Sequence, residues 1–572
     1  MTATGSANPL RLSPIFFAIV FASFFVCALA IYWPSLPGLF YSDDAQYIAH
    51  NEYIHRFTPE NLRAILDPWG APGKMTQNYA PVHLLLHGLE VQLFQGWMPG
   101  YRIVNILLHS LAASLLVALL IRSRLPAWGA IAGGAFFLVH PANVEAVAWI
   151  SQLKSTAGLS FALLALVLHP RRPGWSVLVF ALAILTKALS AFALPVALLF
   201  EWTRRTRARE PSGDLEADPQ QAFRTLALVL WALVFVCFTA VEFPIFRYTN
   251  ANVAPLGEDV ISLTYSVIAI AGRYLALAAT NWGVGAFQEA PEAGTWMAPW
   301  VLLTLPSLAV LAARLVVTTR QRSEEAAYWW WAALSFAPVC QIFPFLYPIA
   351  DRYLYFILPG LIGGCALAAA SSPLGPWLGR AGKGPARGLL LTALACWLVA
   401  FGLRAHERAI LWAEPTSLER EAIRNHPEGL LAHLEQAREA ARQGDVEAVV
   451  VHLRFAFDRG RIEFTTYQYD PVWEPVRDDP RFSEVVQQMA RKWLELEPLY
   501  RRPSQIELRG FAHAHMIVGE YREAKELLER ALEVGGLRDA RIRKELVTVR
   551  LELQRERKAE ARADGGAAQP SE

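Results

Sequence analysis

The sequence predicts an all-α protein: a polytopic membrane bundle of about eleven transmembrane helices, followed by a soluble tail of helical repeats. Of its 572 residues, 54% are hydrophobic and only 18% are charged, whereas soluble proteins average about 25% charged residues. The apolar residues gather in runs of roughly 20, the length that crosses a hydrocarbon core. Beyond residue 404 the composition shifts toward Ala, Glu, Arg and Leu at helical spacing.

Charge and cysteine content exclude several classes of protein. Lys and Arg number 53 against 51 Asp and Glu, which gives a formal net charge of +2. So balanced a chain offers no polyanion-binding surface, and no nucleic-acid partner is expected. All five cysteines fall inside apolar runs, where thiols behave as small hydrophobic groups, so neither a disulfide framework nor a metal site is indicated.

The arginine clusters predict the topology, because Lys and Arg mark cytoplasmic loops. The first run, 14–35, is too long for a signal-peptide core and is interpreted as a retained helix. The clusters assigned to the inside are Arg122 with Arg124, Arg171 with Arg172, Arg204 to Arg209, Arg314 to Arg322, and Arg380 to Arg387. The crossings consistent with them are 14–35, 102–121, 127–143, 156–169, 223–243, 298–318, 327–345, 353–371 and 386–404.

Two apolar runs need a different interpretation to keep these clusters on one side. Residues 174–203 are predicted to form two short helices that turn near Lys187, a charge inside an apolar run and therefore a functional candidate. The run 260–281 contains Arg273 and is predicted to be interfacial or re-entrant rather than a crossing. This topology leaves the tail outside the cytoplasm.

The tail predicts a helical-repeat domain over 405–558. Gly519 to Leu532 combines a Gly-acid turn with an amphipathic, Ala-containing helix, and Gly444 to Ala448 begins in the same way. Both units resemble tetratricopeptide helix pairs, which bind protein partners; a plain helical bundle is the alternative. Residues 559–572 are predicted to be disordered from their Ala, Gly and polar content.

Ionisable residues gather on the predicted outer side, where they are informative because charge at a membrane edge is costly. The first outer loop carries Asp43 and Asp44, and two adjacent carboxylates can divide labour between proton acceptance and a structural partner. Three further segments converge on this face and supply Glu145 with Lys154, Lys187, and Arg352 with Tyr353 and Tyr355. Acids, cations and aromatic rings together fit an anionic, lipid-linked sugar. The alternatives are a solvated helix cap, an interfacial arginine and a snorkelling lysine.

The order of these motifs resembles the transmembrane and tetratricopeptide-repeat O-mannosyltransferase-like proteins, a group of the glycosyltransferase clan with the C-type fold that includes protein O-mannosyltransferases. The resemblance covers residues 14–404, with a repeat-containing tail after them. The segments that carry it are Asp43 to Asn51, Pro81 to His87, Tyr101 to His109, His140 to Trp149, Thr186-Lys187, and Arg352 to Tyr355.

The resemblance implies a polyprenyl-phosphate-linked sugar donor and an acidic general base in the first outer loop. By position, Asp43 is the first choice for that base, and Asp44 remains the alternative. Glu145, Lys187 and Arg352 occupy corresponding substrate-binding motifs, the two cations being suited to phosphate. The family often has Tyr-Arg-Pro where this chain has Tyr79-Ala80-Pro81, so His83 is the candidate replacement for that arginine.

Two functional hypotheses follow. The first is an inverting transferase of the inner membrane that moves mannose or another hexose to a protein or glycolipid hydroxyl on the periplasmic face. It requires no cofactor or metal, because phosphate is a competent leaving group once paired with cations. The second is a non-catalytic adaptor whose tail holds an envelope protein. A transporter is disfavoured because no paired inverted repeat is visible.

Overall fold

The computed structural model describes residues 13–208, 220–250, 253, 255–280, 282–291, 293–345, 347–372, 385–499, 503, 505–535 and 538–566. These residues form helices and no strand, as the predicted all-α class requires. They belong to two compact units, one of Met1–Thr249 with Pro255–Asn425 and one of Asn250–Ala254 with His426–Glu572. The first unit therefore continues past residue 404, the predicted end of the membrane domain.

The first unit contains eighteen described α-helices, and the candidate site lies where several of them begin or end. They are α1 (Pro14–Tyr32), α2 (Glu52–His55), α3 (Pro59–Leu66), α4 (Ala71–Thr76), α5 (Pro81–Phe94), α6 (Met98–Arg122), α7 (Ala127–Val139), α8 (Val144–Ala148), α9 (Leu153–Leu168), α10 (Pro173–Thr186), α11 (Ala193–Ala208), α12 (Gln221–Thr249), α13 (Val260–Thr280), α14 (Pro299–Arg320), α15 (Glu324–Phe336), α16 (Asp351–Ser371), α17 (Pro385–Leu411) and α18 (Pro415–Asn425).

Length and composition make this a multi-pass membrane protein. Within the described ranges, seven helices are long and apolar enough to cross a membrane, or eight if the bent pair α7 and α8 forms one span. The seven candidate spans correspond to α1, α6, α9, α12, α13, α14 and α16, one helix each. The predicted count of eleven is not confirmed. One reason is that α15 has only 13 residues, since Pro338 follows it and a proline cannot continue the hydrogen-bond ladder.

Lys187 lies at the predicted turn between two short helices. Its backbone is extended, with φ −155° and ψ 126°, and it separates α10 from a short 3₁₀ turn that leads into α11. The ends of α10 and α11 distant from Lys187 lie at the arginine clusters, Arg171 and Arg204 among them, that the sequence predicts to be cytoplasmic. Arg209 and residues 380–384 of the predicted clusters lie outside the described residues.

Helix α13 is continuous over 21 residues and has a membrane-spanning composition, so Arg273 does not interrupt it. The Arg273 guanidinium is accommodated by hydrogen bonds to the carbonyls of Trp282 (3.0 Å) and Gly283 (2.7 Å). Both flanks of α13 nevertheless contact the same end of the bundle. Before it, the Thr249 hydroxyl donates to the carbonyl of Gln77 in the first outer loop; after it, residue 285 contacts the first residue of α16. The interfacial or re-entrant path of α13 stays a prediction, because the length and composition of the helix also fit a crossing.

The second unit is a series of paired helices. They are α19 (Leu430–Gln443), α20 (Val446–Asp458), α21 (Phe464–Tyr469), α22 (Pro480–Leu494), α23 (Gln505–Val518), α24 (Tyr521–Val534) and α25 (Asp539–Gly566). The predicted turns between α19 and α20 and between α23 and α24 contain Gly444 at φ +73° and Gly519 at φ +87°. Glycine enters this left-handed region without steric cost and so ends each first helix.

Helix α25 extends into the segment 559–572 that the sequence predicts to be disordered. It continues to Gly566, and residues 567–572 lie outside the described part of the chain. The sequence 556–563 is rich in Ala, Glu, Arg and Lys, which are strong helix formers even where no apolar face is available.

Candidate active site

The Asp43-Asp44 pair lies in a tight turn after α1 whose two carboxylates have different surroundings. Asp44 is fully buried and accepts hydrogen bonds from the backbone N–H groups of Tyr41 (2.9 Å) and Ser151 (2.7 Å). Burial raises the pKa of Asp44 to about 6, although these hydrogen bonds favour its charged form. Asp44 therefore fastens the turn to the segment that precedes α9.

Asp43 is only half buried. The Ser42 hydroxyl donates to its carboxylate at 3.5 Å, and it lies within electrostatic range of Lys154 and Arg352. Ser42 itself adopts φ +50°, an uncommon conformation for a non-glycine residue. The turn thus directs one carboxylate into the protein and leaves the other beside two cations.

Glu145 and Arg352 form a buried ion pair between α8 and the first turn of α16. The carboxylate accepts from the Arg352 backbone N–H at 2.8 Å and from its guanidinium. Both residues are less than 10% exposed. The guanidinium also lies 5.4, 5.1 and 5.0 Å from the ring centres of Trp149, Tyr347 and Tyr353. A planar cation held on one side by a carboxylate and among aromatic rings has a fixed orientation.

The residue before Arg352 fixes the start of α16. Asp351 is buried and accepts from the Gly285 backbone N–H and the Gln288 amide, both at 2.9 Å. The Asp351 carboxylate thereby holds the segment after α13 against the start of α16. Arg352 is positioned by this contact of its neighbour and by its own ion pair with Glu145. Tyr353, half buried beside it, packs edge-to-face on Phe345.

Two lysines, Lys154 and Lys187, lie with Asp43, Glu145 and Arg352 and complete a cluster of charged side chains. The Lys154 ammonium donates to the Tyr47 hydroxyl at 3.0 Å, and the Lys187 ammonium donates to the Ser155 hydroxyl at 2.6 Å. Lys187 also lies within electrostatic range of Lys154, Arg352 and Glu145. Across the described ranges, neither ammonium group forms an ion pair with a carboxylate.

The assembled cluster brings cations and carboxylates together. Three cations, Lys154, Lys187 and Arg352, lie with the carboxylates Asp43, Glu145 and Glu242, and Glu145 is paired with the arginine. Cations that lie close together repel one another, and an anion bound between them relieves that repulsion. The arrangement can hold a phosphate next to a half-buried carboxylate.

Two predicted substrate-binding residues do not fit the predicted roles. Tyr355 is fully buried, and its hydroxyl is 3.0 Å from Nδ1 of His109 in the bundle core. It lies about one helical turn after Arg352 along α16. His83 is also fully buried, between the rings of Tyr47 and His87. Burial holds the pKa of His83 well below its ordinary value, so it is neutral and cannot replace the charge of the family's arginine.

Sequence reasoning missed one acidic residue of the site. Glu242, near the end of α12, accepts from the Tyr79 backbone N–H at 2.7 Å and lies within electrostatic range of Lys154. The signal was available, since an acidic residue inside an apolar run is a functional candidate. In the described part of the chain, no group of three or more His, Cys, Asp and Glu side chains is arranged to hold a metal ion.

Curated relatives agree with the family that the motifs indicated. The chain is 27% identical over 238 residues to protein O-mannosyl-transferase Tmtc2 of Drosophila melanogaster, which is 38% of this chain and 24% of the relative. It is 32% identical over 170 residues to protein O-mannosyl-transferase Tmtc1 of the same species, 28% of this chain and 20% of the relative. It is 28% identical over 189 residues to protein O-mannosyl-transferase F38B6.6 of Caenorhabditis elegans, 31% of this chain and 27% of the relative.

These matches are partial. The aligned part of the chain spans between a fifth and about a quarter of the length of the curated relatives. No family model matches the chain, and no solved structure matches it. Over part of its length, the chain is similar to proteins named protein O-mannosyl-transferases, which confirms the resemblance predicted from its motifs.

Proposed function

We propose that this chain is a membrane glycosyltransferase that moves a sugar from a polyprenyl-phosphate carrier to an acceptor hydroxyl. The observation that carries the proposal is the half-buried Asp43 carboxylate beside Lys154 and Arg352. A base and a phosphate-binding cluster are the two parts that such a transfer needs. The names of the relatives favour mannose as the sugar and a protein as the acceptor.

In the proposed reaction, Asp43 accepts the proton of the acceptor hydroxyl while the oxygen attacks the anomeric carbon. The bond between that carbon and the phosphate oxygen breaks, and the phosphate leaves with the electron pair. Arg352, Lys154 and Lys187 stabilise the negative charge that develops on the phosphate. Attack from the side opposite the leaving group inverts the anomeric configuration.

The geometry favours Asp43 over Asp44 as the base. Both oxygens of Asp44 accept backbone hydrogen bonds, and the side chain is fully buried. A general base must lie within hydrogen-bond reach of the proton that it removes. In this proposal an acceptor approaches the half-buried Asp43 directly, whereas it could reach Asp44 only by opening the turn.

The proposed location is the inner membrane, with the site and the tail on the periplasmic face. Asp43, Lys154, Lys187 and Arg352 lie at one end of their helices, and the Arg122 and Arg204 clusters lie at the other. Basic residues mark the cytoplasmic side, so the site faces away from the cytoplasm. There the donor's lipid can remain in the bilayer while its sugar reaches the turn at Asp43.

The direct test is transfer by the purified chain in nanodiscs that contain a polyprenyl-phosphate mannose, with Ser/Thr-rich peptides as acceptors and mass spectrometry as the readout. Asp43→Asn should lower transfer about 100- to 10,000-fold, the usual effect of losing a general base. The matched control is Ser42→Ala, which changes the neighbouring side chain but leaves both carboxylates. Unchanged transfer by Asp43→Asn would contradict the assignment, and no transfer by the native chain with any hexose donor would favour the adaptor.

The adaptor hypothesis is supported by the paired helices of the second unit. Repeats of this kind offer extended surfaces for protein partners. We propose that the tail selects or holds the protein acceptor, so that binding and transfer are separable. Variants on the tail should alter acceptor binding, while variants of Asp43 should not.

A further inference from the structure

Glu242 is an acidic residue near the end of α12 whose position is set by the first outer loop. One of its carboxyl oxygens, Oε2, accepts a hydrogen bond from the Tyr79 backbone N–H at 2.7 Å. At the last residue of the same helix, the Thr249 hydroxyl donates to the carbonyl of Gln77. These two contacts fasten the end of α12 to residues 77–79 and hold Glu242 at the end of the bundle that carries the candidate active site.

The loop segment that contacts Glu242 also holds Lys154 of the candidate active site. The amide nitrogen of Asn78, the residue before Tyr79, donates to the Tyr47 hydroxyl at 2.7 Å. The same hydroxyl accepts from the Lys154 ammonium at 3.0 Å, and the ammonium lies 4.4 Å from the centre of the Tyr47 ring. Glu242 and Lys154 are therefore connected through one short segment, and they lie within electrostatic range of each other.

The segment that precedes α16 reaches the same part of α12. The ring centres of Phe243 and Phe343 are 6.1 Å apart, and the ring of Phe345 packs edge-to-face on Tyr353 at 5.7 Å. The Arg352 guanidinium lies 5.0 Å from the centre of the Tyr353 ring. The turn of α12 that carries Glu242 thus contacts both the first outer loop and the segment that leads to the arginine of the cluster.

The second oxygen of Glu242 is not used within the protein. In the described part of the chain, the Tyr79 N–H is the one hydrogen-bond partner of this carboxyl group, and Oε1 has none. The side chain is half buried, so Oε1 remains open to a ligand. An acidic residue in an apolar helix is costly and commonly marks a substrate contact.

A carboxyl group in this position suits the sugar of a lipid-linked donor better than its phosphate. A carboxylate repels a phosphate, but its oxygens accept hydrogen bonds from hydroxyl groups, which a hexose presents on adjacent carbons. Asp43 is the proposed base, and Glu145 is paired with Arg352. Glu242 is the remaining carboxyl group of the cluster.

We propose that Glu242 binds hydroxyl groups of the hexose carried by the polyprenyl-phosphate donor and so contributes to the choice of sugar. This inference rests on the proposed function. The Tyr79 N–H orients the carboxyl group by holding Oε2, and Oε1 accepts from the sugar while Lys154 and Arg352 hold the phosphate. A site that hydrogen-bonds a substrate hydroxyl rejects an analogue that lacks it.

The test measures donor binding to the purified chain in nanodiscs without an acceptor, so that the result does not depend on transfer. The ligands are polyprenyl-phosphate mannose and sugar-free polyprenyl phosphate of the same chain length. Glu242→Ala should weaken binding of the mannose lipid about tenfold or more, the effect of losing a hydrogen bond to a charged group, and should leave binding of polyprenyl phosphate unchanged. Lys154→Met should weaken both. An equal loss for both ligands in Glu242→Ala would show that Glu242 only fastens the loop, and would overturn the proposal.

A second variant separates the sugar contact from the fastening of the loop. Glu242→Gln keeps an oxygen for the Tyr79 N–H but presents an NH₂ group in place of Oε1, so it should weaken binding of the mannose lipid selectively. The matched control is Glu60→Gln, an exposed glutamate in the first turn of α3, which should bind both lipids as the native chain does. A loss in Glu60→Gln equal to that in Glu242→Gln would contradict the assignment.

Mannose donors that each lack one hydroxyl identify the contact. Removal of the hydroxyl that Glu242 binds should weaken donor binding to the native chain but cause no further loss in Glu242→Ala, because the interaction is already absent. Losses that add in full at every hydroxyl would overturn the proposal. Transfer to an acceptor peptide is measured separately. Sugar-selective binding through Glu242 without transfer would support this contact and contradict the proposed transferase.

Discussion

Glu145 contacts Arg352 twice, through the backbone N–H at 2.8 Å and through the guanidinium. The two residues are 207 positions apart, yet this pair joins α8 to the beginning of α16. A single carboxylate thus fixes both the first turn of a helix and the cation that the turn presents. The orientation of Arg352 toward the candidate site depends on Glu145 as much as on its own helix.

Arg352→Lys should retain part of the transfer activity but bind the lipid donor more weakly, because a lysine keeps the charge and loses the planar, two-donor geometry of the guanidinium. Arg352→Ala should lose nearly all activity. Turnover against donor concentration in nanodiscs measures both. Donor dependence in Arg352→Ala equal to that of the native chain would make this arginine an interfacial anchor and leave the two lysines as the phosphate ligands. Binding of a soluble partner to the tail should be unchanged in both variants.

Glu145→Gln should destabilise the first unit, because it leaves the Arg352 charge buried without its partner. Breaking a buried ion pair from one side commonly costs about 3–5 kcal/mol. The matched control is Glu407→Gln, whose pairing with Arg404 is exposed and should contribute less than about 1 kcal/mol. Unfolding in mild detergent measures both. If Glu145→Gln is no less stable than Glu407→Gln, the buried pair does not hold α16 in place.

Asp44 should make stability depend on pH in a predictable direction. Its pKa is raised from 3.8 in the unfolded chain to about 6 by burial, so the folded state disfavours the charged form. The protonated Asp44 therefore contributes its full stabilisation below about pH 4. This contribution to the free energy of unfolding, about 3 kcal/mol at most, is lost as the pH rises through about 6. Unfolding temperatures measured between pH 4 and 7 should therefore fall more steeply in the native chain than in Asp44→Asn. Parallel curves would exclude this titration.

Lys154→Met and Lys187→Met should each raise the donor concentration needed for half-maximal transfer. Both ammonium groups point to hydroxyl partners, at 3.0 and 2.6 Å, and remain available to a phosphate. Lys492→Met, in an exposed helix of the second unit, is the control and should transfer normally. If only the maximal rate falls and the donor dependence stays constant, the lysines act on something other than donor binding.

Reporter fusions test the topology. A reporter that is active only outside the cytoplasm should be inactive after residue 209 and active after residue 404, because the arginine clusters lie on one side. Fusions after residues 249 and 291 decide the path of α13. Both should be active if α13 is interfacial, since its flanks contact the same end of the bundle. Opposite results at these two positions would show that α13 crosses the membrane.

The sequence by itself determined the membrane class, most helix positions, the turn at Lys187 and the glycine-ended pairs of the tail. These depend on local properties: apolar length, arginine clusters and residues that end helices. It did not determine the fate of α13, because hydropathy cannot show that Arg273 finds carbonyl partners nearby.

Tertiary structure alone separated residues that look equivalent in sequence. Asp43 and Asp44 are adjacent carboxylates, and only the packing of Ser151 against the turn assigns Asp44 a buried, fastening position. Tyr353 and Tyr355 share a motif, but the helix takes one to the cluster and the other into the core. Glu242 joined the site through a contact with Tyr79 across 163 residues of chain. Each of these outcomes depends on contacts between residues that are distant in sequence. Burial and hydrogen-bond partners are set by those contacts, so the local sequence does not determine them.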